Sequence, residues 1–141
     1  MGTSSLQAAI YTNELRAETL TNELTDNSMD LRLLQKHTSA EIDKIRAYYA
    51  PEIEQIRNEI ENLDKTENKE EYEDLIRELN DIKEEKEQKI AKYEDELSVN
   101  ETERQSENEI LEVQLEDIKA ETESFREMLK QNIENDFGYF Q

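Results

Sequence analysis

The chain has 141 residues, room for one domain of ordinary size, and carries 37 Asp and Glu against 17 Lys and Arg, a net charge of −20. Only 34% of its residues are hydrophobic and 38% are charged, which argues against a thick central core and favours thin packing between long helices. Two Gly 136 positions apart and no Cys exclude a phosphate-cradling glycine loop, disulfides, thiolate catalysis and zinc–sulfur sites.

The N-terminus, MGTSSLQAAIYTNEL, has no basic segment followed by an apolar core, so it does not read as a secretory signal. It also misses the myristoylation pattern, because Leu6 stands where Ser or Thr is required. These features predict a protein that is cytoplasmic, packaged in a particle, or exported without a cleaved signal. A first helix is expected over 4–24. Ser4 and Gln7 have capping-box spacing, and Leu6, Ile10, Ala17, Leu20 and Leu24 lie along one stripe that Asn13 and Thr21 interrupt. The segment TDNSMD, residues 25–30, gathers cap and turn residues and predicts a break.

A second helix is expected over 29–63. From Ile42 its apolar residues run through Ile45, Tyr49, Ile53, Ile56, Ile60 and Leu63 at steps of 3 and 4, and Leu31 and Leu34 precede them. Pro51 falls within this pattern without resetting its phase, which predicts a kinked helix; a fresh helix with Pro51 in its first turn is the alternative. Tyr48 and Tyr49 adjoin the proline, where one is expected to pack inward and the other outward, either as packing aromatics at a bend or as a contact for a neighbouring subunit.

Residues 64–69 contain no apolar side chain, and Asn68 with Glu71 repeats the capping-box spacing, so a hairpin turn is predicted there. The return helix, 70–97, presents Tyr72, Leu75, Leu79, Ile82, Lys86, Ile90, Tyr93 and Leu97. Both arms contain an 11-residue spacing, Ile42 to Ile53 and Ile82 to Tyr93, which predicts a shallow supercoil. About 27 residues at about 1.5 Å each make this an antiparallel coiled-coil hairpin of roughly 40 Å. LSVNETE, 97–103, predicts a second break. A last helix over 101–137 then carries Leu111, Leu115, Ile118, Thr122, Phe125, Leu129, Ile133 and Phe137, and Gly138 suits the left-handed position that stops a helix. The tail, 138–141, adds Tyr139 and Phe140. With Phe137 these aromatics either fold back over the end of the helices or anchor in a partner protein.

Sites of other kinds are weakly supported. A triad would need His37, the only histidine, whose neighbours QKHTSAE read as an exposed helix side. Neither the paired Glu-x-x-His of a di-iron bundle nor an EF-hand loop is present. Glu107 with Glu112, or Glu84 with Glu87, read as solvated carboxylates, and NET at 100–102 matches the glycosylation acceptor pattern without a secretion signal. No catalytic residue, metal site or cofactor is expected. Acids outnumber bases 7 to 5 in residues 1–50, 18 to 8 in 51–100 and 12 to 4 in 101–141, which disfavours nucleic acid and anionic membrane surfaces as partners. No stretch reaches the length of a membrane span.

The fold predicted is all-α: an elongated coiled-coil bundle with a central antiparallel hairpin and a long C-terminal helix, forming one domain. This layout, from the Ser/Thr-bearing N-terminus to the C-terminal ENDFGYFQ, resembles the helical subunits of flagellar and type III secretion filaments. The resemblance implies that terminal helices form an assembly core, with Leu6, Ile10, Leu20 and Leu24 meeting the stripe Leu115 to Phe137. The expected function is that of a non-enzymatic, self-assembling homo-oligomer, a subunit of a filament, appendage or particle. The alternative is a cytoplasmic adaptor or holdase-like chaperone that binds another protein.

Overall fold

The computed structural model describes residues 2–139, with side chains as far as residue 136. Among the described residues there are two helices and no strand: α1, Thr3–Asn62, and α2, Lys69–Tyr139, which pack against each other. The chain forms two compact units, residues 1–31 with 102–141 (unit 1) and residues 32–101 (unit 2).

Two helices stand where four were expected, because neither predicted break interrupts the chain. Leu24, Asn27, Leu31 and Leu34 turn inward at steps of 3, 4 and 3 through the segment 25–30. The cap-type residues there bond back to their own helix: Thr25 Oγ1 donates to the Thr21 carbonyl at 3.0 Å and Ser28 Oγ to the Leu24 carbonyl at 3.0 Å. Ser and Thr stop a helix when they cap it, but facing solvent they can bond to the carbonyl four residues earlier and the helix continues. At the second expected break Asn100 does the same, its Nδ2 donating to the Glu96 carbonyl at 3.0 Å. The expected stop at Gly138 is also absent, since α2 runs on to Tyr139; a glycine costs a helix about 1 kcal/mol but does not by itself end it.

Pro51 lies inside α1, which is helical on both sides of it. The missing N–H leaves the Ala47 carbonyl without its usual donor. Ala47 and Pro51 are both exposed, so water can take up that carbonyl while Tyr49 and Ile53 carry the inward face past the proline.

In unit 2 the core is Tyr49, Ile53, Ile56, Leu79 and Ile82, with Ile45, Ile60 and Leu75 packed against it. The turn closing this unit is built around Asp64. Its Oδ1 accepts from the Thr66 N–H at 2.9 Å and its carbonyl from the Asn68 N–H at 3.0 Å. The Thr66 N–H first, then the Thr66 side chain and the Glu67 N–H, hold the Asp64 carboxyl below its ordinary value of 3.8. In unit 1 the helices run antiparallel, Asn13 meeting Glu121 and Asn27 meeting Asn108. Its buried apolar residues are Leu6 and Ile118, accompanied by buried Asn13 and Thr122.

Candidate interaction surface

Three polar features lie inside the helix seams where stripes of apolar residues were expected. Asn13 does not interrupt its stripe but occupies it: it is 3% exposed, and its Nδ2 donates to Glu121 Oε1 at 2.9 Å. Thr122, on the facing helix, satisfies its hydroxyl on the Ile118 carbonyl at 2.7 Å. Further along unit 1, Asn27 Nδ2 donates to Asn108 Oδ1 at 3.0 Å, and Arg104 donates to Asn27 Oδ1 at 3.0 Å while pairing with Asp30 and Glu107 at 3.6 and 3.5 Å. Each of these groups has partners, as a polar layer between helices requires. Their helical spacing was visible in the sequence, Asn27 and Asn108 three residues from Leu24 and Leu111 and Asn13 and Thr122 seven from Leu20 and Leu115; the stripe of the last helix included Thr122, but residue type disguised the asparagines and Arg104. Thr38 lies in the seam between Leu34 and Ile42, 8% exposed.

The residues singled out from sequence fall into three groups. Leu6 is fully buried in unit 1, where Ile10, Leu20 and Leu24 are half-buried. Tyr49 is buried in unit 2 and Tyr48 is 73% exposed, the rings meeting edge to face with centroids 5.1 Å apart. The side chains of Phe137 and Tyr139, and Phe140 altogether, lie outside the described residues. Ile133, expected on the inward stripe, is exposed, and Asn132 takes that place three residues after Leu129.

Lys89 lies over the Tyr49 ring, its Nζ 5.2 Å from the centroid. The Tyr49 side chain is the main influence pushing the Lys89 pKa up; desolvation opposes it and comes next in size, ahead of the attraction of Glu85 at 3.6 Å. The Tyr49 hydroxyl itself has no hydrogen-bond partner, so the ammonium acts on the tyrosine through the ring and through its field rather than through a formed bond.

Among the described residues ten large apolar side chains are well exposed, and seven of them belong to unit 1: Tyr11, Leu15, Met29, Ile110, Val113, Met128 and Ile133. That unit carries 16 acids and 5 bases over residues 1–31 and 102–141, a net −11. A groove of about 590 Å³ runs along its helix pair, with Leu15 and Leu20 on one side and Ile118 on the other. His37 is exposed. Among the described residues no three His, Asp or Glu side chains converge on a metal-sized site, and no helix is long and apolar enough to cross a membrane. No family model, curated protein or solved structure matches the chain.

Proposed function

We propose that the chain is a non-enzymatic structural protein that assembles with copies of itself through coiled-coil helices, as a subunit of a filament, appendage or particle. The observation that supports this reading is the imbalance in unit 1, where among the described residues Leu6 and Ile118 are the buried apolar side chains, half-buried leucines line the rest of the seam, and seven large apolar side chains face outward. Covering the remaining exposed area of such side chains contributes about 1 kcal/mol each. Seven from each of two copies therefore offset an association cost of about 4–15 kcal/mol. The likeness of the layout to flagellar and type III secretion filament subunits favours the same reading, as do the clustered aromatic residues Phe137, Tyr139 and Phe140.

The net charge opposes assembly at low ionic strength and does so less as the Debye length shrinks from about 30 Å at 0.01 M to about 8 Å at 0.15 M. Sedimentation velocity of the full chain at physiological salt is therefore expected to show large, concentration-dependent species. Removing residues 137–141 is expected to reduce them. A stable monomer in both preparations refutes the proposal, and a discrete monomer or dimer that binds another protein through Tyr139 and Phe140 replaces it with an adaptor or chaperone role.

A further inference from the structure

The groove of unit 1 is longer than its main cavity. A second hollow of about 390 Å³ lies between Glu23, Asp26 and Asn27 of α1 and Glu107 and Leu111 of α2. The α1 residues that border the two, Thr12, Arg16, Thr19, Glu23 and Asp26, follow one another at steps of 4, 3, 4 and 3, the spacing of a single helix face. The two hollows are therefore successive stretches of one groove. Leu20, Leu111 and Ile118 form its apolar floor, and its rim sets Glu23, Asp26, Glu107, Asp117 and Glu121 against one base, Arg16. From Thr12 to Asn27 it spans about 22 Å at about 1.5 Å per residue.

A ligand for such a groove is a helix with apolar anchors and positive flanks, and the chain contains one. Residues 31–49 hold four bases, Arg32, Lys36, Lys44 and Arg46, against Glu41 and Asp43, in a protein whose net charge is −20. Leu33, His37, Ala40, Lys44 and Tyr48 follow at steps of 4, 3, 4 and 4 and are all exposed. Leu33 and Tyr48, at its two ends, are the most exposed large apolar side chains among the described residues, at 64% and 73%. From Leu33 to Tyr48 is again about 22 Å. Arg32 and Lys36 make no ion pair among the described residues.

We propose that the acid-rimmed groove of unit 1 receives the basic stripe Leu33–Tyr48 of a second copy of this chain. The inference rests on the self-assembly reading and specifies its contact. Groove and stripe belong to different units and both draw on α1; the copy supplying the stripe is a second one. The surfaces that meet are different, which makes the contact heterologous; such a contact propagates into an open filament unless its rotation closes a ring. Charge complementarity along the rim sets the register, and the burial of Leu33 and Tyr48 over the apolar floor holds it.

The test uses the absence of native cysteine. Thr19 lies midway along the groove and Ala40 midway along the stripe, so Thr19→Cys and Ala40→Cys chains meet whichever way the helix lies. Under mild oxidation at physiological salt the mixture is expected to give a mixed disulfide that neither chain gives alone. In parallel, Glu23→Lys with Asp117→Lys, and separately Arg32→Glu with Lys36→Glu, are expected to weaken assembly by sedimentation at least about tenfold while leaving helicity unchanged. Mixing the two reversed chains is expected to restore it, because each groove then meets a stripe of opposite charge. A wild-type chain that stays monomeric overturns the self-assembly reading and this contact with it. A wild-type chain that assembles, with no mixed disulfide and with reversed chains that assemble as before, overturns this contact alone and assigns the groove to another occupant.

Discussion

Replacing Tyr49 by Phe removes one oxygen from the best-packed part of unit 2. Tyr49 is 3% exposed and its hydroxyl has no hydrogen-bond partner, so folding strips that group of water without returning a bond. An unsatisfied buried polar group costs about 1–3 kcal/mol. The low end applies here, because the Lys89 ammonium 5.2 Å from the ring centroid softens the local field. The ring, its edge contact with Tyr48 and its place among Ile53, Ile56 and Leu79 are all retained by Phe. Tyr49→Phe is therefore expected to stabilise the protein by about 1 kcal/mol, which at about 2 kcal/mol per molar urea raises the unfolding midpoint by about 0.5 M. Tyr49→Ala, which empties the same site, is expected to cost about 3–5 kcal/mol. Urea unfolding followed by circular dichroism measures both, at a concentration where the chain is monomeric. A midpoint that falls in Tyr49→Phe refutes the reasoning, since it would mean the hydroxyl is bonded in the folded state.

Two further outcomes follow from the same packing. Ile56→Ala, at a residue 5% exposed in the unit 2 cluster, is expected to cost about 3 kcal/mol, whereas Leu33→Ala, at an exposed position, is expected to change monomer stability by less than about 0.5 kcal/mol. The Asp64 carboxyl, held below its ordinary 3.8 by the Thr66 and Glu67 donors, contributes stability that is present above that value and lost as the pH falls through its lower folded value. Asp64→Ala is accordingly expected to be less stable than wild type at neutral pH, with a difference that shrinks in acid below 3.8; a difference that does not change with pH would refute a role for the ionised turn.

The placement of the polar residues was the hardest thing to read from the sequence. Asn13, Asn27 and Thr38 lie at the same 3- and 4-residue intervals as the apolar residues around them; Asn13 is buried and Asn27 half-buried where the facing helix supplies Glu121 and Asn108 as partners, and Thr38 is buried in the same seam. A single helix viewed alone cannot show those partners, so its amides read as interruptions. The runs at 25–30 and 97–103 misled for a related reason: Thr25, Ser28 and Asn100 are chemically able to cap a helix or to bond back along it, and the choice depends on whether the seam on the opposite face continues. It does, through Leu24, Leu31, Leu97 and Arg104. The candidate surface was less legible still, because exposed apolar residues such as Leu15, Val113 and Met128 have the same letters as core residues and differ only in the side of the helix they occupy.

By itself the sequence determined the all-helical class, the inward set Ile42, Tyr49, Ile53, Ile56, Leu79, Ile82 and Ile90, and the turn near 64–69, because hydrophobic periodicity and the absence of apolar residues are properties of one strand of chain. The tertiary structure decided that two helices rather than four carry these residues and that unit 1 leaves a groove whose floor comes from both α1 and α2. Those outcomes depend on what each residue faces across the seam, and the energy of a polar or apolar group is set by that facing group as much as by the residue itself.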